Sequence, residues 1–291
     1  MPSPEYGYAL TPNVAKTHHQ PDYSYTIKSN SEGFRGREPD FKANTRILVL
    51  GDSYGMGQGV EEGKNICDLT QSHFHSQNIS LNIFNTSISG YAGINELGVL
   101  NKQIKGYKPH LVILLFFWND LGVRESLNVQ NGYLVLNFGN PRTAPMREWL
   151  NNHSHLYALI KRNWYFYKKP EIVRDDVAIP KSDIDVALDY IIKMKQVCDQ
   201  NDSKFMTVLL PINGVYSGTP AMQACKETMI RELVHHGIHY RDWTQVVPQE
   251  DKDKYIFKYD RHWNERGNTY FSRYLIHVIN ELLKNKIGHQ G

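Results

Sequence analysis

The chain has 291 residues, 41% of them hydrophobic and 22% charged, which is enough length and apolar content for one sizeable core. Its 33 Lys and Arg against 30 Asp and Glu leave a formal charge of +3, with no basic run or stripe, so nucleic acid is not an expected partner. The longest apolar run, Leu111 to Trp118, is far below the roughly 18 to 20 residues that cross a bilayer, and the polar, Tyr-rich start shows no signal-peptide core.

Residues 1 to 44 read as a loop-rich lead-in without helical periodicity, expected to pack on the core. From Arg46 the pattern becomes regular. Arg46 to Leu50 is a short apolar run ending at Gly51, the form of a buried parallel strand. Further strands are expected at Leu81 to Phe84, Leu111 to Phe117, Phe205 to Leu210 and Ile238 to Tyr240. Between them lie helical patterns. Ile184, Leu188, Ile191, Lys195 and Cys198 share one helical face, and Ser182 and Asp185 stand at capping-box spacing. Phe271, Tyr274, Leu275, Val278, Ile279, Leu282 and Leu283 form a wide apolar stripe on the last helix. Alternating strands and helices predict an α/β fold, a flavodoxin-like three-layer α/β/α sandwich with about five parallel strands, over residues 45–286. An insertion at about 121–180 interrupts the alternation. It holds a hairpin signal at Asn131-Gly132 and an aromatic stretch with Trp149, Tyr157, Trp164, Tyr165, Phe166 and Tyr167.

Cys67, Cys198 and Cys225 lie far apart with no C-x-x-C pair. Such an odd, scattered set reads as buried small hydrophobes rather than a disulfide scaffold. The histidines at 73, 75, 153, 155, 235, 236 and 239 match no zinc pattern, so no metal or cofactor is expected. Gly55, Gly57 and Gly59 fit neither nucleotide-binding glycine motif and read as turn or packing glycines. Arg35 is expected to pair with a local acid.

Open α/β sheets gather ligands outside the carboxyl ends of their strands. The residues just past each predicted strand therefore belong together. They are Gly51-Asp52-Ser53, the Asn85 to Gly90 segment, Trp118-Asn119-Asp120, and Asp260-Arg261-His262 before the last helix. A hydroxyl, glycine amides, a carboxamide and a His-Asp pair converge on one rim. Each residue also has an ordinary reading: Ser53 as a helix cap, Asn119 as a strand-end turn residue, Asp260 as a loop brace.

Taken in order, these blocks resemble those of the SGNH (GDSL-like) hydrolases. Gly51-Asp52-Ser53 resembles the first block, Gly90 the second block's glycine, Asn119 the third block's asparagine, and Asp260 with His262 the last block. Two departures stand out: Phe117 replaces the usual glycine of the third block, and the last block reads Asp-x-His where Asp-x-x-His is common. The lead-in Asn30-Ser31-Glu32-Gly33-Phe34-Arg35 is similar to a segment of a bacterial subgroup that shares the shorter last block.

The resemblance implies Ser53 as nucleophile, His262 as general base and Asp260 as the acid that orients it. The oxyanion donors would be the amides of Ser53 and Gly90 and the side-chain amide of Asn119. The chemistry is self-consistent, because a serine hydroxyl attacks only once a neutral imidazole accepts its proton. The expected activity is hydrolysis of an O-acyl, above all O-acetyl, ester of a carbohydrate or small molecule through an acyl-serine. The alternatives are transfer of the acyl group to a saccharide hydroxyl by the same residues, and a non-catalytic binding module on this fold. A periplasmic or extracytoplasmic location would require an anchor removed before Met1; compartment and oligomeric state are left open by the sequence.

Overall fold

The computed structural model describes residues 1–122, 179–211, 219–247 and 249–287, with short pieces between 128 and 160. The lead-in is more ordered than its sequence predicts. Strands β1 (Pro2–Ser3) and β2 (Gly7–Tyr8) pair antiparallel, and β3 (Ala15–His19) and β4 (Ser24–Lys28) form a second antiparallel ribbon. The cause is tertiary. In β4 only Tyr25 and Ile27 are buried, and they pack with Tyr23 and Met56, so the apolar signal is too short to show as periodicity.

The main sheet follows. Strand β5 (Thr45–Gly51) leads to the single-turn helix α1 (Ser53–Met56) and then to α2 (Ile66–Ser76). Next come β6 (Leu81–Asn85), α3 (Gly93–Tyr107) and β7 (Leu111–Phe116). Within the insertion, β8 (Asn128–Gln130) and β9 (Tyr133–Val135) pair antiparallel, and the Asn131-Gly132 turn lies outside the described residues. So do Trp164, Tyr165, Phe166 and Tyr167, whereas Trp149 is 58% exposed. Helix α4 (Lys181–Asp199), β10 (Lys204–Leu209), α5 (Pro220–His235), β11 (His239–Asp242) and α6 (Glu265–Ile287) complete the chain.

Five strands, in the order β11-β10-β7-β5-β6, form one parallel sheet. Counted along this sheet the order is 2-1-3-4-5, the flavodoxin-like arrangement. Side chains alternate across it, as a period of two requires. Leu48 and Leu50 join α3, α4 and α5 in one core, while Ile47 and Val49 join α2 and α6 in the other. All four are at most 1% exposed, and each such side chain contributes about 1.5–3 kcal/mol by leaving water. The lead-in adds Tyr8 and Phe34 to the first core.

Two local expectations are corrected. Helix α4 begins at Lys181 after Pro180, with no side-chain cap, so Ser182 lies inside the first turn and its hydroxyl donates to Asp183 instead. The buried face of α4 runs through Met194 rather than Lys195, whose ammonium pairs with Asp199 at 2.5 Å. The three cysteines are free and buried. Among the described residues no helix is long and apolar enough to cross a membrane.

Candidate active site

The rim at the carboxyl ends of β5, β6 and β7 is assembled by short-range capping. Asp52, fully buried, is the N-cap of α1, and its Oδ1 accepts the Tyr54 amide at 2.9 Å. The strand thereby turns at once into a helix, with Ser53 at its first position, where the amide has no intrahelical acceptor. Ser53 is 7% exposed. After β7 the chain makes a 3-10 turn, Trp118–Asp120, pinned by a 2.7 Å bond from the Trp118 indole to the Leu210 carbonyl. This turn aims Asn119 at the nucleophile's neighbour: its Nδ2 donates to Asp52 Oδ2 at 3.1 Å. The same oxygen is 3.4 Å from Ser53 Oγ. An amide nitrogen carries two hydrogens, so one remains for another acceptor. Gly90, past β6, has φ +85°, a backbone that side-chain-bearing residues adopt at a cost.

Asp260 and His262 sit in the loop before α6. The loop is closed by the Phe257 amide donating to the His262 carbonyl at 2.9 Å and by a bridge between Ile256 and Trp263. Arg261, between acid and base, has φ +72°, an unfavourable conformation for a residue other than glycine, worth about 1–3 kcal/mol. The result is a continuous chain of polar contacts. His262 Nε2 lies 2.6 Å from Ser53 Oγ, and His262 Nδ1 contacts Asp260 Oδ1. An ionised carboxylate only accepts, so Nδ1 carries the proton and Nε2 presents its lone pair to the serine. Burial by itself would raise the pKa of Asp260. The hydrogen bond from His262, the attraction of its ring when protonated and the hydroxyl of Tyr23 outweigh burial and hold it below the usual carboxylate range.

Aromatic packing fixes the imidazole plane. The Tyr54 ring lies 4.8 Å from that of His262 and 4.4 Å from that of Phe117. Phe117 is extended at φ −113° and ψ 146°, so the usual glycine of the third block is not needed for the backbone here. The phenylalanine instead backs Tyr54. Burial, reinforced by the carboxylates of Asp52 and Asp260, pushes the Tyr54 phenol well up, so it stays neutral.

Another buried acid feels the charge of Asp52. Glu96 on α3 is 1% exposed, and burial together with the charge of Asp52 pushes its pKa up to about 8. It lines, with Asp120 and Met194, a cavity of about 10 Å³, close to the least that holds one water. Arg35 of the lead-in is fully buried. It pairs with Glu62 at 2.7 Å and donates to the carbonyls of Met56, Gly57 and Val60, so it clamps the segment after Ser53.

Of the residues singled out in the sequence, Ser53, His262 and Asp260 form one direct chain. Asn119 joins it through Asp52. Gly90 follows Ser89, whose hydroxyl donates to Gln58 Oε1 at 2.8 Å. Three further residues went unread. Asp52 carried a signal, since Asp before a helix start is a preferred cap. Tyr23 and Gln58, which bond Asp260 Oδ2 at 2.8 and 3.4 Å, carried none. Among the described residues no group of three His, Cys, Asp or Glu side chains could hold a metal ion.

No protein-family model matches the sequence, and no curated protein matches it. Solved structures do resemble it. The psychrotrophic esterase EstA from Pseudoalteromonas sp., in a structure inhibited by monoethylphosphonate, superposes with a TM-score of 0.51 at 11% identity, covering 83% of this chain and 100% of that one. A member of the lipolytic G-D-S-L family from Veillonella parvula gives 0.49 at 11% identity, over 81% and 98% of the two chains. The lipase/acylhydrolase from Enterococcus faecalis gives 0.49 at 13%, over 81% and 95%. The five-stranded parallel sheet of this chain has the fold of the Pseudoalteromonas esterase.

Proposed function

We propose that the protein is a serine esterase that cleaves O-acyl esters, preferably O-acetyl esters, of a carbohydrate or other small molecule. The contact that carries this reading is the 2.6 Å approach of Ser53 Oγ to His262 Nε2, with Asp260 on the other ring nitrogen. The fold shared with the Pseudoalteromonas esterase supports it. In the reaction, His262 takes the Ser53 proton as Oγ attacks the ester carbonyl. The amides of Ser53 and Gly90 and the free N–H of Asn119 receive the developing oxyanion. The imidazolium, held against Asp260, returns its proton to the leaving alcohol. His262 then deprotonates a water that attacks the acyl-serine, and Ser53 regains its proton as the acid departs.

The test is a series of p-nitrophenyl esters from acetyl to longer chains, run with wild type and Ser53→Ala. The variant should lose at least ~10³-fold in turnover while keeping its fold. A fluorophosphonate should label the wild type at Ser53 and leave the variant unlabelled. Turnover in Ser53→Ala above a tenth of wild type would sink the serine mechanism.

A further inference from the structure

Acid and base are only two residues apart on a loop whose Asp260 and His262 side chains are 22% and 20% exposed. Left alone, a carboxylate there would rotate freely about its last torsion, which is soft. The lead-in prevents this. At the tip of the β3–β4 hairpin, one carboxylate oxygen of Asp22 accepts both the Tyr259 amide at 2.6 Å and the Asp260 amide at 2.9 Å. The next residue, Tyr23, donates its hydroxyl to Asp260 Oδ2 at 2.8 Å. Both oxygens of Asp260 are thus assigned, Oδ1 to His262 and Oδ2 to Tyr23.

The tip is itself held. The Tyr23 ring packs 4.6 Å from that of Phe257 and 5.5 Å from that of Tyr25. Gln58 Nε2 donates to the Tyr23 hydroxyl at 3.2 Å, and Ser89 orients Gln58. Gly59 permits the approach. Its φ is +90°, and a Cβ there would come within 2.5 Å of Phe257 and 3.0 Å of Tyr23. Burial, with the Asp260 charge next, pushes the Tyr23 phenol far up, so it remains a donor.

We propose that Asp22 and Tyr23 are positioning residues that lock the Asp260 carboxylate onto His262, making the lead-in hairpin a working part of the catalytic site. The proposal rests on the esterase reading for its kinetic arm only. The hairpin replaces, from a distant stretch of chain, the support that a two-residue spacing cannot supply locally. Outer partners of this kind set the orientation of the groups that do the chemistry.

Tyr23→Phe keeps the ring and removes only the donor. On a p-nitrophenyl ester it should lower kcat by about 10-fold to 100-fold with KM within about twofold, since misplacing a catalytic group costs rate more than binding. Asp22→Ala should act in the same direction. Combined with Asp260→Asn, Tyr23→Phe should add nothing, because its effect passes through Asp260. In proton NMR the downfield Nδ1 resonance of His262 should shift upfield or exchange away in Tyr23→Phe. Turnover of Tyr23→Phe within twofold of wild type, or a fully additive double variant, overturns the proposal. If wild type shows no Ser53-dependent turnover, the esterase reading fails and the NMR arm alone decides. An Nδ1 proton unmoved by Tyr23→Phe then overturns the positioning role, and its loss upholds it.

Discussion

The strand end that carries Ser53 and the loop that carries Asp260 and His262 meet at the Ser53–His262 contact and at the Tyr54 hydroxyl, which donates to the Arg261 carbonyl, but they are held in different ways. The first grows out of β5, whose Leu48 to Leu50 are at most 1% exposed, and is turned by Asp52, which is fully buried. Its turn is capped locally by Asp52, and the supports from farther along the chain, Asn85 on the Gly55 carbonyl, Asn119 on Asp52 and the Arg35 clamp, come from buried or part-buried side chains. The second is a surface loop with a strained residue in its middle. Its precision comes from Tyr54, which packs on both His262 and Trp263, and from the lead-in tip, both far away along the chain. A nucleophile can be placed by the core, because an oxygen on the first helical turn inherits the strand's rigidity. An acid–base pair on a loop needs partners that arrive only when the whole chain has folded. Perturbing the buried clamp of the first region should therefore be read in stability, and perturbing the outer supports of the second in rate.

The strongest test of this division is Arg35→Ala. It removes the ion-pair partner of Glu62 and the guanidinium donors to the Met56, Gly57 and Val60 carbonyls, and should cost roughly 3–5 kcal/mol of stability. Chemical denaturation measures it, and Arg35→Lys, which keeps the charge but not the fork, should lie between. A loss under about 1 kcal/mol would show that the segment after Ser53 stands without the clamp.

Asn119→Ala comes next and tests the group that bonds Asp52 beside the nucleophile. It should lower kcat by roughly 10² to 10³, about 3–4 kcal/mol in the barrier, with little change in KM, since an oxyanion donor strengthens mainly in the transition state. A change confined to KM would move Asn119 from transition-state stabilisation to substrate binding.

The last test concerns the buried acid of α3. Glu96, with its pKa pushed up to about 8, holds its proton in the folded chain while the unfolded chain releases it above about pH 4.3. Folding is therefore disfavoured increasingly as pH rises from about 4.3 towards 8, and the penalty is constant beyond. Glu96→Gln removes it. In urea titrations the variant should lie closest to wild type at and below about pH 4.3 and gain on it steadily up to about pH 8. Parallel pH curves would mean that Glu96 is compensated by another group.

The sequence by itself determined the sheet and the rim. Continuous apolar runs such as RILVL have no stable place except a doubly covered parallel strand, and such a sheet puts its polar strand ends on one edge. Ser53, Asn119, Asp260 and His262 could be gathered from that rule, and the three buried cysteines from composition. The limits of α4 were misread because a capping pattern is local and Pro180, fixed in φ, started the helix earlier. Only the tertiary structure decided how the acid is held. Tyr23 and Gln58 stand in stretches with no periodicity or motif, 237 and 202 residues from Asp260 along the chain. Their role exists because the β3–β4 tip and the last-block loop are brought together by packing among Tyr23, Tyr25 and Phe257. A hydrogen bond between distant side chains leaves no trace in local pattern, since its geometry depends on where two separately built surfaces come to rest.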